Sequence, residues 1–228
     1  MRITIIGQKW LAAQLLCQCL DDGHEIVCAV APNSGDRLFL AAANAGILAF
    51  DRMPPAGELP ESDVILAAHA HAFITAAHRA TAKLGAVGYH PSLLPRHRGR
   101  DAVRWAIHMR DAITGGTLYQ MDDGADTGAI LLQDWCHIRP DDTPQSLWQR
   151  ELAPMGLSLF RQYLRQWQHI TPRPQDEALA TFEPAFTARR LAAEHGYDRV
   201  MDVVASISSD LEDYAAAANA ALDEEFGN

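Results

Sequence analysis

Short apolar runs alternate with helix-like stretches through the first ninety or so residues, and this alternation constrains the fold more than any other feature. Strands that alternate with helices form β-α-β units, whose strands are parallel and lie in one sheet. The sequence therefore predicts an α/β fold with a mostly parallel sheet flanked by helices. The predicted strands cover residues 2–6, 25–31, 63–68 and 85–89, and the predicted helices cover residues 10–20, 36–45 and 72–84.

The rest of the chain contains two more predicted strands, two more helices and a tail. The strands cover residues 116–121 and 130–138, and the helices cover residues 102–109 and a long stretch from about residue 143. Pro154 falls inside the long helix, where a proline causes a kink or a break. We expect a main domain over residues 1–170, an irregular linker over residues 171–195 and an acidic helical tail over residues 196–228.

The charge of the chain is negative and unevenly distributed. With 29 acidic and 19 basic side chains the formal net charge is −10, and the tail alone contains eight acids and one arginine. An acidic chain is a poor general nucleic-acid binder and a poor ligand for anionic lipid. The apolar stripe of the tail needs a packing partner, so we predict that the tail packs on the main domain or on a second subunit in a homodimer.

Several common types of site are not expected. The four cysteines, Cys17, Cys19, Cys28 and Cys136, lack metal-site spacing, so no metal is predicted. The first strand-to-helix turn contains the single glycine Gly7 instead of the Gly-x-Gly-x-x-Gly pattern, so no NAD is predicted. The sequence also lacks a long apolar run and a secretory leader, which favours a cytoplasmic protein without a membrane span.

Two segments carry candidate chemistry. His90 follows a predicted strand and opens a proline-rich loop, at the sheet edge where ligands of such folds bind. The acidic loop downstream contains Asp122, Asp123 and Asp126, and each segment taken alone is more often structural. One of these carboxylates paired with His90 would orient the imidazole, so that the pair moves a proton or polarises a carbonyl. The combination indicates acyl-type chemistry.

Together the two segments resemble the folate-dependent formyltransferase family. Its hallmark is Asn-x-His-Pro-Ser-Leu-Leu-Pro, followed 36 residues after the histidine by the second aspartate of an Asp-x-x-Asp-x-Gly loop. Here the motif from His90 to Pro95 is intact, and Asp126 follows His90 by 36 residues. Within the family, the chain up to about residue 183 is most similar to the N-terminal hydrolase domain of 10-formyltetrahydrofolate dehydrogenase.

The resemblance implies a Rossmann-like formyltransferase fold that uses 10-formyltetrahydrofolate as co-substrate, and it implies a catalytic role for residues 1–170. The histidine matching His90 polarises the formyl group, and the aspartate matching Asp126 hydrogen-bonds that histidine and helps to remove the acceptor's proton. A cis peptide is implied before Pro95. The folate is expected to contact Ala67, Ala68, His69, Ala70, Phe73, Met121, Asp122 and Asp123.

One departure from the family and one basic cluster concern the acceptor. The family asparagine two residues before the histidine is Gly88 here, and loss of an oxyanion donor typically costs about 10²–10³ in rate. Gly88 is therefore expected to admit a water or an acceptor. Arg96, Arg98 and Arg100 are predicted to hold an anionic acceptor or the folate glutamate tail, and the alternative is a solvated rim.

These residues predict a 10-formyltetrahydrofolate-dependent formyltransferase that acts on a small acceptor. Transfer to tRNA is not expected, because the family members that modify tRNA carry a basic C-terminal barrel whereas the tail here is short and acidic. Two alternatives remain open. The first is a 10-formyltetrahydrofolate hydrolase that releases formate, and the second is a non-catalytic folate-binding protein.

Overall fold

The computed structural model of the protein describes residues 1–186, and the sheet and helices given below belong to the unit Met1–Phe182. The predicted helical tail, and with it the predicted homodimer contact, lies outside the described residues. No helix within those residues is long and apolar enough to cross a membrane.

A seven-stranded sheet forms the centre of this unit. Its strands are β1 (Arg2–Gly7), β2 (Glu25–Val30), β3 (Ala49–Phe50), β4 (Val64–Ala68), β5 (Ala86–His90), β6 (Ile113–Gln120) and β7 (Ile130–His137). They are arranged in the order β3-β2-β1-β4-β5-β6-β7. The first five strands are mutually parallel, and β6 and β7 are each antiparallel to their neighbours. The predicted α/β fold with a mostly parallel sheet is confirmed; the two-residue strand β3 was not predicted.

The helices flank this sheet and follow the predicted order with shifted boundaries. They are α1 (Lys9–Asp21), α2 (Arg37–Asn44), α3 (Ala76–Arg79), α4 (Ala102–His108), α5 (Pro144–Leu147) and α6 (Ala153–Gln166), with short 3-10 helices at Ala56–Glu58, Trp167–His169 and Glu177–Leu179. The helix predicted for residues 72–84 forms only as α3. Thr75 caps it by accepting a hydrogen bond from the N–H of His78, which fixes its start late in the predicted range.

The predicted break at Pro154 takes the form of a π-helix, Trp148–Leu152, between α5 and α6. Pro154 lies in the first turn of α6 and has no N–H to donate to the carbonyl of Arg150. The helix widens just before it, where the N–H of Ala153 reaches the carbonyl of Trp148 five residues earlier. Short π-helical segments often occur at functional sites, and this one presents Trp148 near the end of β4.

Alternate residues of the central strands face two separate cores, as the two-residue period of a strand requires. Ile5 and Leu66 belong to the larger core, which α1 and α6 cover, whereas Ile6 and Ile65 belong to the core on the other face. Because both faces are buried, these strands are apolar along their whole length.

The strand order reverses between β1 and β4, and ligands of open α/β sheets bind at such a point. The two strand ends approach closely here, since a Cβ built on Gly7 would lie 1.9 Å from the carbonyl oxygen of Ala68. The parallel strand β5 ends at the same edge, on His90. The fold therefore brings the ends of β1, β4 and β5 to one edge of the sheet.

Candidate active site

His90 is the last residue of β5, and its ring is 8% exposed. Its Nε2 lies 2.6 Å from the backbone carbonyl oxygen of His97. A carbonyl can only accept, so Nε2 carries the proton in this arrangement. The other nitrogen, Nδ1, lies 3.5 Å from Oδ2 of Asp126. The structure therefore brings Asp126 of the acidic loop against His90, whereas the hydrogen bond that the resemblance implies between them is not formed at this distance.

Asp126 is held in place from two sides. Its Oδ2 accepts from the backbone N–H of Gly99 at 2.8 Å, and its Oδ1 accepts from the hydroxyl of Tyr119 at 2.7 Å. Its backbone is in the left-handed region, with φ 59°, which aspartate tolerates better than most residues. Two donors that favour the charged carboxylate therefore fix Asp126 in an orientation that faces His90.

The space beside Gly88 is filled by Tyr119, which pairs with it across β5 and β6. A Cβ built on Gly88 would lie 2.9 Å from Cε1 and 3.1 Å from the hydroxyl oxygen of Tyr119. This corrects the expectation that Gly88 leaves room there for a water or an acceptor. Burial, together with the charge of Asp126 and its hydrogen bond, raises the pKa of Tyr119, so the phenol remains a donor.

The loop that begins at His90 is anchored by a second cluster of charged residues. Arg96 donates to both carboxylate oxygens of Asp111, at 2.9 and 2.7 Å, and Nε2 of His97 lies 2.8 Å from the same carboxylate. The peptide bond between Leu94 and Pro95 is cis, as the resemblance implies. Burial opposes ionisation of Asp111, but the hydrogen bonds from Arg96 and His97 outweigh it and lower the pKa of Asp111.

The three predicted arginines have different surroundings. Arg96 is paired with Asp111, and Arg98, with a side chain only 7% exposed, contacts Gln175 and Glu177 at 2.7–3.0 Å. These two arginines thus have intramolecular partners, and of the two only Arg96 keeps an exposed side chain. Arg100 lies near enough to His71 that its positive charge helps to lower the pKa of that histidine, an effect second to burial.

The segment after α6 joins the two loops of the candidate site. The side-chain amide of Gln175 donates to the backbone carbonyls of Asp126 and Gly128, while its oxygen accepts from Arg98. Thr181 contacts the backbone of the loop after His90. Its carbonyl accepts from the backbone N–H of Arg98, and its hydroxyl accepts from the backbone N–H of His97. We call residues 173–182 the strap, because they tie the loop after His90 to the loop that contains Asp126.

The residues predicted to contact folate differ in accessibility. Ala67 and Ala68 are buried in the two cores, and the carbonyl of Ala68 accepts from the N–H of Gln8. Ala70 is half-buried and Phe73 is 67% exposed, so these two present side-chain surface at the strand end. Of these predicted folate contacts at the end of β4, the two residues in the strand are therefore buried and the two residues in the following loop are accessible.

The other folate residues lie in the loop before β7. Met121 is half-buried and its N–H donates to the carbonyl of Ala86. Asp122 accepts from Gly124 and Thr127, which shapes the loop, and Asp123 pairs with Arg79. Both carboxylates therefore have partners within the chain, which orders the loop that carries Asp126.

His69 forms an aromatic cluster with His71 and Trp148. The centroid of its ring lies 5.3 Å from that of His71 and 5.6 Å from that of Trp148. Burial, and then the positive charges of His71 and Lys9, lower the pKa of His69 to about 4. The ring is therefore neutral at pH 7, which suits it to stacking and to hydrogen bonding with a neutral ligand.

The site contains residues that the sequence did not single out: Tyr119, the N–H of Gly99, Gln175 and the His97–Asp111 pair. Tyr119 had one detectable signal, since a glycine in one strand opposite an aromatic residue in the next suggests that the ring covers the glycine. The residues of the strap gave no signal, because nothing in an irregular segment specifies its partners. Within residues 1–186 the structure contains no group of three side chains that could hold a metal ion.

Comparison with solved structures places this unit in the formyltransferase fold. A sugar 3N-formyl transferase, WlaRD, superposes with a TM-score of 0.68 over 80% of this chain and 69% of that chain, at 20% identity. Glycinamide ribonucleotide transformylase 1 from Symbiobacterium toebii gives a TM-score of 0.65 over 77% and 94% of the two chains, at 18% identity. The WlaRD structure was determined with dTDP and 5-N-formyl-THF.

Sequence comparison identifies the family. Residues 51–156 match the formyl transferase family model. Cytosolic 10-formyltetrahydrofolate dehydrogenase of Mus musculus is 35% identical over 201 residues, which are 80% of this chain and 22% of that protein. Methionyl-tRNA formyltransferase of Deinococcus radiodurans is 39% identical over 120 residues, 53% of this chain and 36% of that protein. The chain belongs to the formyl transferase family and is homologous to the N-terminal domain of 10-formyltetrahydrofolate dehydrogenase.

The chain spans about a fifth of the length of the dehydrogenases that it matches. The similarity therefore concerns this one domain, and the activity of the whole relatives does not transfer directly.

Proposed function

We propose that the protein transfers the formyl group of 10-formyltetrahydrofolate to a small acceptor. The observation that carries this proposal is the buried His90–Asp126 pair at the carboxyl end of β5, with Asp126 fixed by two donors. Family membership and the homology to 10-formyltetrahydrofolate dehydrogenase support the choice of co-substrate. The occurrence of 5-N-formyl-THF and of tetrahydrofolic acid in structures of the same fold agrees with it.

In the proposed reaction the acceptor's nitrogen attacks the formyl carbon of 10-formyltetrahydrofolate. The new C–N bond forms while the carbonyl electrons move to oxygen, and protonated His90 stabilises the resulting oxyanion. Asp126 takes the proton that the attacking nitrogen loses. When the carbonyl re-forms, the bond from carbon to N10 breaks and N10 receives the proton that Asp126 had taken up, which leaves tetrahydrofolate, a formylated acceptor and ionised Asp126.

The geometry of His90 suggests which nitrogen reaches the formyl oxygen. Nε2 makes a short bond to the carbonyl of His97, whereas Nδ1 is 3.5 Å from Asp126, beyond the usual range of a hydrogen bond. The Nδ1 side is therefore the one that can engage a ligand placed between His90 and Asp126. Protonation at Nδ1 gives a donor that Asp126 stabilises.

The folate is proposed to lie along the ends of β4 and β6. The accessible surface of Ala70 and Phe73, the neutral ring of His69 and the loop from Met121 to Asp123 would contact it, with Ala67 and Ala68 forming the strand beneath. The acceptor is proposed to occupy the open pocket at the ends of β1, β2 and β4. Gly7, Met53 and His71 line this pocket, and Arg100 lies near His71 and would favour an anionic acceptor.

Hydrolysis is the second candidate, with water as the acceptor and formate as the product. The 35% identity with 10-formyltetrahydrofolate dehydrogenase favours it, because the matching region is the hydrolase domain of that protein. The same His90 and Asp126 chemistry would serve both reactions. A third possibility, folate binding without turnover, would leave the buried catalytic pair without a role.

One assay distinguishes these candidates. Release of tetrahydrofolate from 10-formyltetrahydrofolate is followed by absorbance, without an acceptor and then with amino sugars, nucleotide-linked amino sugars or methionyl-tRNA. Turnover that requires an amine supports transfer, and turnover in buffer alone identifies the hydrolase. Tight folate binding without turnover contradicts both. His90→Ala and Asp126→Ala should abolish turnover while circular dichroism shows an intact fold.

A further inference from the structure

We infer that Tyr119 is a third functional member of the site, a positioning residue whose hydroxyl holds Asp126 toward His90, and that Gly88 is required to give its ring room. This inference rests on the proposed function and deepens it. No motif of the sequence marks Tyr119, which lies on β6 between the two catalytic segments.

The position of Tyr119 is fixed by the sheet. The residue pairs with Gly88 in the β5–β6 register, and Gly88 lies two residues before His90 along β5. Its ring covers the space beside Gly88, where even a methyl group would lie 2.9 Å from Cε1. A side chain at residue 88 would therefore displace the ring and take the hydroxyl away from Asp126.

The hydroxyl contributes one of the two hydrogen bonds that fix the carboxylate, at 2.7 Å from Oδ1. The N–H of Gly99 supplies the other, to Oδ2. A side-chain substitution can remove the hydroxyl of Tyr119 while the backbone N–H of Gly99 stays in place. Tyr119 is therefore the donor whose role can be tested. Because burial and the nearby negative charge raise the pKa of Tyr119, the phenol stays protonated throughout the range in which the enzyme is assayed.

Tyr119→Phe tests the inference, because it keeps the ring beside Gly88 and removes only the hydroxyl. We expect kcat to fall about 10- to 100-fold, the effect of losing one hydrogen bond to a charged group, with the KM for 10-formyltetrahydrofolate unchanged. The loss should appear in kcat with KM and the melting temperature unchanged, because only the hold on the Asp126 carboxylate is altered. A merely structural tyrosine would instead lower the melting temperature and leave the kcat of the folded protein unchanged.

Tyr163→Phe is the matched control. Tyr163 is also buried, in α6, and burial raises its pKa to about 12. This variant should retain wild-type kcat and KM. The inference is overturned if Tyr119→Phe leaves kcat unchanged, if it raises KM alone, or if Tyr163→Phe causes the same loss.

A second measurement covers the case in which Tyr119→Phe does not fold or the wild-type protein shows no turnover. In protein labelled with ¹³C at the tyrosine ζ carbons, Asp126→Asn should lower the pKa of Tyr119 and leave that of Tyr163 in place. If the titration of Tyr119 does not respond, the inference is wrong. Absence of turnover in the wild-type protein would instead contradict the proposed function, so the two failures are distinguishable.

Discussion

The side-chain amide of Gln175 donates a 2.8 Å hydrogen bond to the backbone carbonyl of Asp126, although 49 residues separate the two. The same amide reaches the carbonyl of Gly128 at 2.7 Å, and its oxygen accepts from Arg98. One side chain of the strap thus connects both loops of the candidate site. A stretch with the composition of a linker therefore serves as part of the structural support of the active site.

Gln175→Ala should destabilise the protein by about 1–3 kcal/mol, because buried carbonyls and the Arg98 guanidinium lose a partner. Urea denaturation measures this loss, and kcat should fall in the same variant because the Asp126 loop is released. Gln14→Ala, on the exposed side of α1, is the control and should change neither quantity. An unchanged unfolding midpoint in Gln175→Ala would show that the strap bonds contribute nothing to stability.

Asp126→Asn should lower kcat by about 10²–10⁴-fold, the range typical of a lost general acid or base. The amide cannot take up a proton from the acceptor, and it places a neutral group opposite Nδ1 of His90. Steady-state kinetics with 10-formyltetrahydrofolate checks this. Asp134→Asn on the edge strand β7 removes an acidic side chain outside the site and should retain full activity. Comparable activity in both variants would remove Asp126 from the mechanism.

Gly88→Ala should destabilise the protein by about 1–3 kcal/mol through overpacking against Tyr119. Thermal denaturation measures the effect, and the same substitution should cost less when it is made in a Tyr119→Ala background, because the ring that the new methyl group would meet is absent. Gly57→Ala is the control, since a Cβ there meets no atom within 4 Å in the described part of the chain. If Gly88→Ala were as stable as Gly57→Ala, the space beside Gly88 would have to be open.

The half-buried His69 should make stability depend on pH below neutrality. Its pKa is lowered to about 4 from the ordinary histidine value of about 6.5, so between these values the unfolded chain binds a proton that the native chain does not. Stability therefore falls as the pH drops from about 6.5 toward 4, and this loss should be smaller in His69→Asn, whose side chain tolerates the φ of 54°.

Melting temperatures at pH 7, 6 and 5 check this dependence on His69. His169→Asn, an exposed position in the 3-10 helix after α6, should behave like the wild type. Parallel pH curves for wild type and His69→Asn would contradict the assignment of a neutral, half-buried His69.

The fold class, the order of the elements and the two candidate segments around His90 and Asp126 could all be predicted from the amino-acid sequence. Apolar periodicity reports burial locally, which is why strands buried on both faces could be located from residues 2–6 or 63–68 alone. The predicted helix boundaries are wrong where a single side-chain contact determines them, as at Thr75, whose cap sets the start of α3 at Ala76. The spacing of His90 and Asp126 indicated a pair because it matched a family pattern, not because local physics required the contact.

The partners of those residues depend on how the elements pack. Hydrogen bonds from Gly99 to Asp126 and from Gln175 to the loop of Asp126 join positions 27 and 49 residues apart, and no local propensity encodes such contacts. Tyr119 is only seven residues from Asp126, but its ring reaches the carboxylate because of the β5–β6 register. The same is true of Arg98. Its positive charge predicts an anionic partner, and the structure shows that this partner is Glu177 of the same chain. Residue types show what a side chain can do, whereas the sheet register and the path of the strap determine what it contacts.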